Sequence, residues 1–395
     1  MKNWIRHNLF RSWSDGILSI VFGALAAWVI WILVKFIFVT GRWEIIQVNI
    51  KLLLVGRFPI ESLWLLNASV ISIAFWMSSV FGNAAKTAEK RVNLTTKAIE
   101  LLTRFGLVFG LGVIIVLLIG VRESTSMVAA IIGAIVLGRL VNRARWKLDF
   151  LARIPTIAWH FVLALPPVTL IFLTLRVAEL ELWGGFLINF YIAVISIILC
   201  FPLGVLLALG RRSNLPIIRV ICTTYIEIVR GSPLFVLLLL SGVALEFFIP
   251  RSSSPGAVAR AITVFTLFTA AYLAEIVRGG LQSVPKGQIE AGKALGLSPV
   301  KATVLITLPQ ALRNVIPAQI GQFISLFKDT TLAGAALSIV ELLKVSEAIT
   351  KQPDFLGQGY IYEALAFVSL LFWAGSFVMS KESQRLEKRL GVGQR

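Results

Sequence analysis

An all-α integral membrane protein with about ten transmembrane helices is predicted by three observations. Of 395 residues, 57% are hydrophobic and 15% charged, the proportions of a chain dissolved in lipid. The hydrophobic residues gather into runs, most of them near the roughly 20 residues that a helix needs to cross a bilayer. These runs are too long for barrel strands and lack the alternation of a barrel wall, so only helices can satisfy their backbone inside lipid. The net charge of +18 falls in blocks between the runs. It is therefore assigned to membrane topology, and no nucleic-acid partner is expected.

Taken in order, the first apolar run covers 17–40 and follows Lys2, Arg6 and Arg11, which reads as an uncleaved signal anchor. Further spans are expected at 63–81, 105–121, 127–140 and 156–175, the fourth being short. A second half carries spans at 184–209, 233–248, 258–280, 311–343 with a polar interruption, and 364–380. This gives an N-terminal extension, 1–180, of about five helices and a second domain, 181–395. Lys86, Lys90, Arg91, Lys97 and Arg104 follow span two, and Arg139, Arg143, Arg145, Lys147 and Arg153 follow span four. Arg211, Arg212 and Arg219 follow span six, Arg278, Lys286, Lys293 and Lys301 span eight, and Lys381, Arg385, Lys388 and Arg389 span ten. Basic residues mark cytoplasmic loops, which puts both termini in the cytoplasm of a multi-pass plasma-membrane protein. The basic stretches 86–104 and 139–153 are read first as solvated topology determinants, with contact to anionic lipid or to an ATPase as the alternative.

The loop after span eight, 286–309, is the most informative stretch. Gln288 to Leu295 can wind two turns, Gly296 suits a left-handed helix end, and Leu297 is its hydrophobic follower. Ser298 is a good N-cap with Pro299 at the first helical position, so a second helix leaves at an angle towards Leu308 and Pro309. The product is a small helix-turn-helix foot. Ala291, Gly292, Ala294 and Gly296 keep its surface small for a cytosolic partner, and Glu290 and Lys293 offer polar contacts. Gly287, Gly292 and Lys293 fit seven positions of a phosphate-binding loop, but Ala294 stands where Ser or Thr must hold Mg²⁺ and no strand precedes it. No nucleotide site is expected in this chain.

The foot resembles the EAA loop of ABC importer permease subunits: E-A-A, three residues, Gly, nine residues, then I-x-L-P. Glu290, Ala291, Gly296, Ile306, Leu308 and Pro309 match in register, with Gly292 in place of the second Ala. The stretches 270–288, 309–320 and 325–334 resemble the polar amino-acid subfamily, the histidine, glutamine, arginine and opine permeases. The additional N-terminal half resembles the longer permease subunit of general L-amino-acid importers. The resemblance implies a five-helix permease core with a cytoplasmic coupling helix, and residues 290, 291, 292, 296, 306, 308 and 309 as the contact with an ATPase. It further implies a pair of ATPase subunits that bind ATP and Mg²⁺, a second related permease forming a heterodimer, and an extracytoplasmic amino-acid-binding protein. No cofactor and no enzymatic activity are expected in this chain. An ion-gradient-driven secondary amino-acid transporter is the alternative, but it leaves the foot without a purpose.

Two polar groups admit two readings each. The pentapeptide EIVRG occurs at Glu227–Gly231 and again at Glu275–Gly279, with Glu227 and Arg230, and Glu275 and Arg278, each on one helix face. Each can be a local ion pair anchoring a helix end, or part of a cytoplasmic gate or subunit contact. Lys328 and Asp329 interrupt the ninth span about 15 residues, or roughly 22 Å, beyond Arg313. They can be a doublet that breaks the helix, with Thr330 and Thr331 satisfying freed backbone groups. Alternatively, Lys328, Asp329 and Thr330 line the substrate pathway and meet a zwitterion. His160, Cys200 and Cys222 are read as packing residues without metal spacing. Trp4, Trp13, Trp43, Trp64, Trp146 and Trp183 are expected in an interfacial aromatic belt.

Overall fold

The computed structural model describes residues 12–81, 122–145, 154–250 and 254–391. Backbone groups in lipid have no water to bond, and the described chain is accordingly helical, with only two isolated bridges, Gly56 to Trp183 and Gly185 to Glu341, in place of sheet. Helix α1 (Trp13–Lys35) starts at Ser12, whose hydroxyl accepts from Asp15 N, and runs on as a π turn, Phe36–Thr40. Then come α2 (Glu44–Val55), α3 (Leu63–Phe81), α4 (Arg122–Arg145) and α5 (Thr156–Val177). The second half holds α6 (Gly185–Arg211), α7 (Pro216–Gly231), α8 (Leu234–Val243), α9 (Leu245–Phe248) and α10 (Ala257–Ser283). It closes with α11 (Lys286–Ala294), α12 (Pro299–Ala302), α13 (Leu308–Asp329), α14 (Leu332–Leu337), α15 (Leu342–Ile349) and α16 (Ile361–Leu390).

Among the described residues, six helices are long and apolar enough to cross a membrane, and a seventh forms if α7 and α8, bent by 101°, count as one span. The difference from ten has identifiable sources. The span expected at 105–121 lies outside the described residues. The run at 127–140 sits in α4, whose apolar portion is the short Ala129–Asn142. The span expected at 311–343 is broken: α13 stops at Asp329, α14 follows, and Ser338 takes a left-handed conformation before α15.

Two helices occupy stretches expected to be loops. Helix α2 is amphipathic, burying Ile45, Ile46, Asn49 and Leu53 while Val48 stays 69% exposed. Helix α7 opens on Pro216 at its first position and buries only Ile226. The long pair α6 and α10 packs intimately because Gly204 lets Leu273 and the Ala270 carbonyl approach, where a Cβ would meet them at 2.9–3.1 Å. Gly280 does the same for α10 against Ala311 and Val315 of α13.

Phe58, Leu66 and Ala178 join Ile188, Leu238 and Phe265 in a buried cluster, which ties the second half to the N-terminal extension. Within it, Ser69 bonds Thr174 (3.1 Å), Trp76 donates to the His160 carbonyl (3.2 Å) and Ser78 to the Ile135 carbonyl (2.6 Å), joining α3 to α4 and α5. Among the described residues, no residue of the apolar stretch of α1 is buried. By contrast α2 is part of the core: Ile45, Ile46 and Leu53 join Leu326, Leu342, Val345 and Phe367 in one buried cluster. Asn49 and Gln352 exchange amide hydrogen bonds of 3.3 and 2.9 Å. Arg42 donates through its backbone N–H to Glu363 (3.0 Å) and through its guanidinium to the Gln358 carbonyl (2.5 Å), and it lies 4.1 Å from the Tyr360 ring centre. Trp13 and Trp64 are 91% and 63% exposed, as a belt residue must be, but Trp183 is buried against Phe58 and Tyr191. Its indole N–H donates to the Ala178 carbonyl, so Trp183 is a core residue.

Asn49→Leu would leave the Gln352 amide without its partner at a nearly dry contact. A loss of about 1–3 kcal/mol is expected, read as a lower melting temperature of the detergent-purified protein. Asn49→Leu combined with Gln352→Met should recover most of that loss, because both polar groups then leave together.

Candidate functional site

The foot is built by local capping. Helix α11 ends in a Schellman motif: Leu297 N donates to the Gly292 carbonyl (3.1 Å) and Gly296 N to the Lys293 carbonyl (2.9 Å), with Gly296 at φ +76°. Ser298 then caps α12, accepting from Lys301 N at 3.4 Å, with Pro299 at the first position. A π turn, Thr303–Thr307, joins α12 to α13. Residues 287–293 therefore lie inside a helix that follows another helix, which removes the strand-loop-helix geometry of a phosphate loop.

The foot presents a different face from the one its small residues suggest. Gly292 is buried and points inward, where a Cβ would meet Ile306 at 2.9 Å and Ala302 at 3.6 Å. Its smallness lets the two arms of the foot close on each other. The outward face carries Glu290, Ala291, Lys293 and Pro309, together with apolar side chains that sequence reasoning passed over: Leu295, 80% exposed, and Val300, 72% exposed. Ile306 and Leu308 are half-buried supports beneath it. The signal for Leu295 was available, since a leucine at a helix C-cap beside a left-handed glycine has no core to enter. The foot is rooted in α10 and α13, which touch at Gly280 and are bridged by the bond from Asn314 to Ser283 (3.0 Å).

Above the foot lies an ion network. Glu275 is held by Arg278 through a two-pronged contact, by Arg211 (3.2 Å) and by Arg230 (3.8 Å). Arg211 also reaches Glu227 at 2.8 Å. The local-pair reading of EIVRG thus holds for the second copy and fails for the first, whose Glu227 and Arg230 turn to different partners. The reason is Arg211 at the end of α6, which fits between α7 and α10 and draws both carboxylates. The network joins three helices, although Glu227 is half exposed and each such pair contributes at most about 1 kcal/mol.

At the other end of α6 the helix break is held by polar side chains. Thr330 Oγ1 donates to the Phe327 carbonyl (2.7 Å) and Thr331 Oγ1 to that of Lys328 (2.9 Å), so the two threonines cap the broken end of α13. Lys328 is exposed, Asp329 half-buried and Thr330 fully buried. Beside them Glu341, 1% exposed, caps α15 by accepting from Leu343 N (2.9 Å) and Lys344 N (2.7 Å). Asn189, also buried, donates to Thr330 (3.0 Å) and to Glu341 (3.2 Å) and accepts from Leu342 N (3.0 Å). Asn189 does not stand out from the sequence, because its partners are 141 to 153 residues away; the cap that Glu341 makes is local, on Leu343 N and Lys344 N, and sequence reasoning passed over it. Among the described residues no group of His, Cys, Asp or Glu could hold a metal, and Cys200 and Cys222 are free thiols in the packing.

Residues 200–391 match the family model described as the binding-protein-dependent transport system inner membrane component. The chain is 33% identical to an inner membrane amino-acid ABC transporter permease protein of Escherichia coli (strain K12), over 99% of this chain and 93% of that one. It is 41% identical to the glutamate/glutamine/aspartate/asparagine transport system permease protein BztC of Rhodobacter capsulatus, over 55% of this chain and 50% of the relative. A crystal structure of an amino acid ABC transporter with histidines aligns at 25% identity and a TM-score of 0.46, covering 51% of this chain and 90% of that one. The match to the Escherichia coli protein runs almost end to end in both sequences, and the chain belongs to the family of binding-protein-dependent inner membrane transport components, the non-enzymatic permease subunits of ABC importers.

Proposed function

We propose that this chain is the longer permease subunit of an amino-acid importer, paired with a second, related permease in the inner membrane, with both termini cytoplasmic. The foot at 286–309 carries the proposal: an outward apolar face of Leu295 and Val300, flanked by Glu290 and Ala291, on a turn stiffened by Gly296, Ser298 and Pro299. Such a face suits the groove of an ATPase subunit, which binds ATP and Mg²⁺ while this chain binds neither. The amino-acid substrate is supported by the names of similar permeases, which include those for glutamine, glutamate, cystine and histidine. Residues 1–180 form the extension and 181–395 the permease domain, with α2 of the extension lodged in the latter's core. Membrane lipid covers the apolar length of α1.

Mechanically, ATP-driven closure of the ATPase pair displaces the foot, and α10 and α13 tilt as a joined pair. The network of Arg211, Glu227, Arg230, Glu275 and Arg278 lies where these helices leave the foot, and it serves as the cytoplasmic gate, opening when α6, α7 and α10 part. Lys328 and Asp329, next to Thr330 at the break, meet the carboxylate and ammonium groups of the substrate delivered by the binding protein. A secondary carrier would transport alone on an ion gradient and would have no use for an exposed, capped foot.

Co-purification tests the reading. The parent chain should bring down an ATPase, and Glu290→Lys or Leu295→Asp should weaken that association at least about tenfold, since exposed anchors at a packed contact carry most of its energy. Retention of full association by both variants would contradict the proposed docking face. Gly292→Ala tests the inward packing: it adds about 1 kcal/mol of helix propensity and needs only a rotation of the Ile306 tip. It should leave association and melting temperature at or above the parent values, whereas Gly292→Leu should prise the foot apart and lower both.

A further inference from the structure

The knot of Asn189, Thr330 and Glu341 has no assigned role, and its chemistry is unusual for the interior of a membrane protein. All three side chains are at most 1% exposed. Among the described residues no Lys, Arg or His forms an ion pair with Glu341. Its carboxylate is instead stabilised by the backbone N–H groups of Leu343 and Lys344, the Asn189 amide and the N-terminal end of α15. Burying an unpaired carboxylate is expensive, and an apolar packing residue would fill the space at less cost. What an apolar residue cannot do is fix direction. Both Asn189 N–H groups and its carbonyl are committed, one to the break after Asp329, one to Glu341 and one to the backbone of Leu342. The start of α6 is also pinned to the same strap, because Gly185 N donates to the Val340 carbonyl (2.9 Å). Gly334 leaves the room required: a Cβ there would come within 2.5 Å of Glu341 Oε1.

We infer that Asn189 and Glu341 are positioning residues for transport, latching the first turn of α6, the break after Asp329 and the start of α15 into one unit that presents Lys328 and Asp329 to the substrate. Resting on the permease reading above, the inference concerns geometry at the outer end of the pathway and not docking of the ATPase. Neither residue touches substrate. Each acts through the residue it holds: Asn189 through Thr330, the neighbour of Asp329, and Glu341 through Asn189. Opening of the pathway then moves α15 and the break together, because separating them would leave the buried Asn189 amide without one of its partners.

The test uses the whole complex with its ATPase and binding protein in proteoliposomes, with an equimolar mixture of the twenty common L-amino acids as probe. Asn189→Leu removes the latch. Glu341→Asp keeps a carboxylate able to cap α15 but, one methylene shorter, withdraws it from Asn189. Both should retain complex yield and basal ATPase within about twofold of the parent while raising the transport KM at least about tenfold, the pattern of lost substrate positioning. The inference is overturned if both single variants transport with the parent KM. It is equally overturned if they lose yield and transport in parallel while the remaining complex keeps its KM, which is the signature of a merely structural contact. A parent complex whose ATPase does not respond to the loaded binding protein would instead sink the permease reading, a result separate from either of these.

Discussion

Every peptide group in a lipid-embedded chain needs a partner, and an interrupted helix frees several at once. This requirement explains where the polar residues of the molecule lie. Over most of their length, long runs such as α6 and α10 close their own ladders, and their buried side chains there are mainly apolar. Where the chain departs from a helix, a side chain with a matching donor or acceptor stands at the gap: Thr330 and Thr331 at the end of α13, Glu341 and Asn189 at the start of α15, Ser298 at the start of α12. The break after Asp329 is affordable only because three separate elements contribute to satisfying it. Charges that would be costly in a continuous span, Lys328 and Asp329, are thereby carried to a place where the backbone already turns.

The same distinction decides what could be read from the sequence. Caps are local, so the foot was legible down to individual residues: the left-handed Gly296, the Ser298 cap and the Pro299 start all involve partners within a few positions. Long apolar runs were legible for the same reason. Pairings across the fold were not. The EIVRG repeat invites two identical local ion pairs, yet Arg211, from another helix, captures Glu227 and shares Glu275. Trp183 has the placement of a belt residue and is instead buried, because Phe58 and Tyr191 close over it. Helix α2 escaped notice because 12 residues are too few for a span and Lys51 resembles a loop charge; its amphipathic stripe acquires meaning only once α15 and α16 supply the surface it covers.

Position within the foot shows how a motif can be right about its residues and mislead about their facing. Small residues in a docking loop suggest close approach by a partner. Here Gly292 faces Ile306 and Ala302, so its smallness serves the foot's own closure, and the outward surface depends on Leu295 and Val300. The space beside Gly292 would admit an alanine methyl once the Ile306 tip turned, so what the position excludes is a larger side chain.

Foot and latch are the two ends of one rod. Helix α13 begins at Leu308, directly after the foot, and ends at Asp329 beside the Asn189 knot, a rise of about 33 Å. It is fastened near its base to α10, through Gly280 and through Asn314 on Ser283, so neither helix can swing without the other. Its interior proline, Pro317, cannot donate to the Arg313 carbonyl and removes one rung just above that fastening. A rod clamped below a weakened rung and latched at its tip does not bend uniformly. If the foot is pushed as proposed, its displacement would concentrate at the rung, and the segment above would move as one piece with the break, with α15 and with the start of α6. On that proposal, the Asn189 knot is as much a part of the lever as the foot.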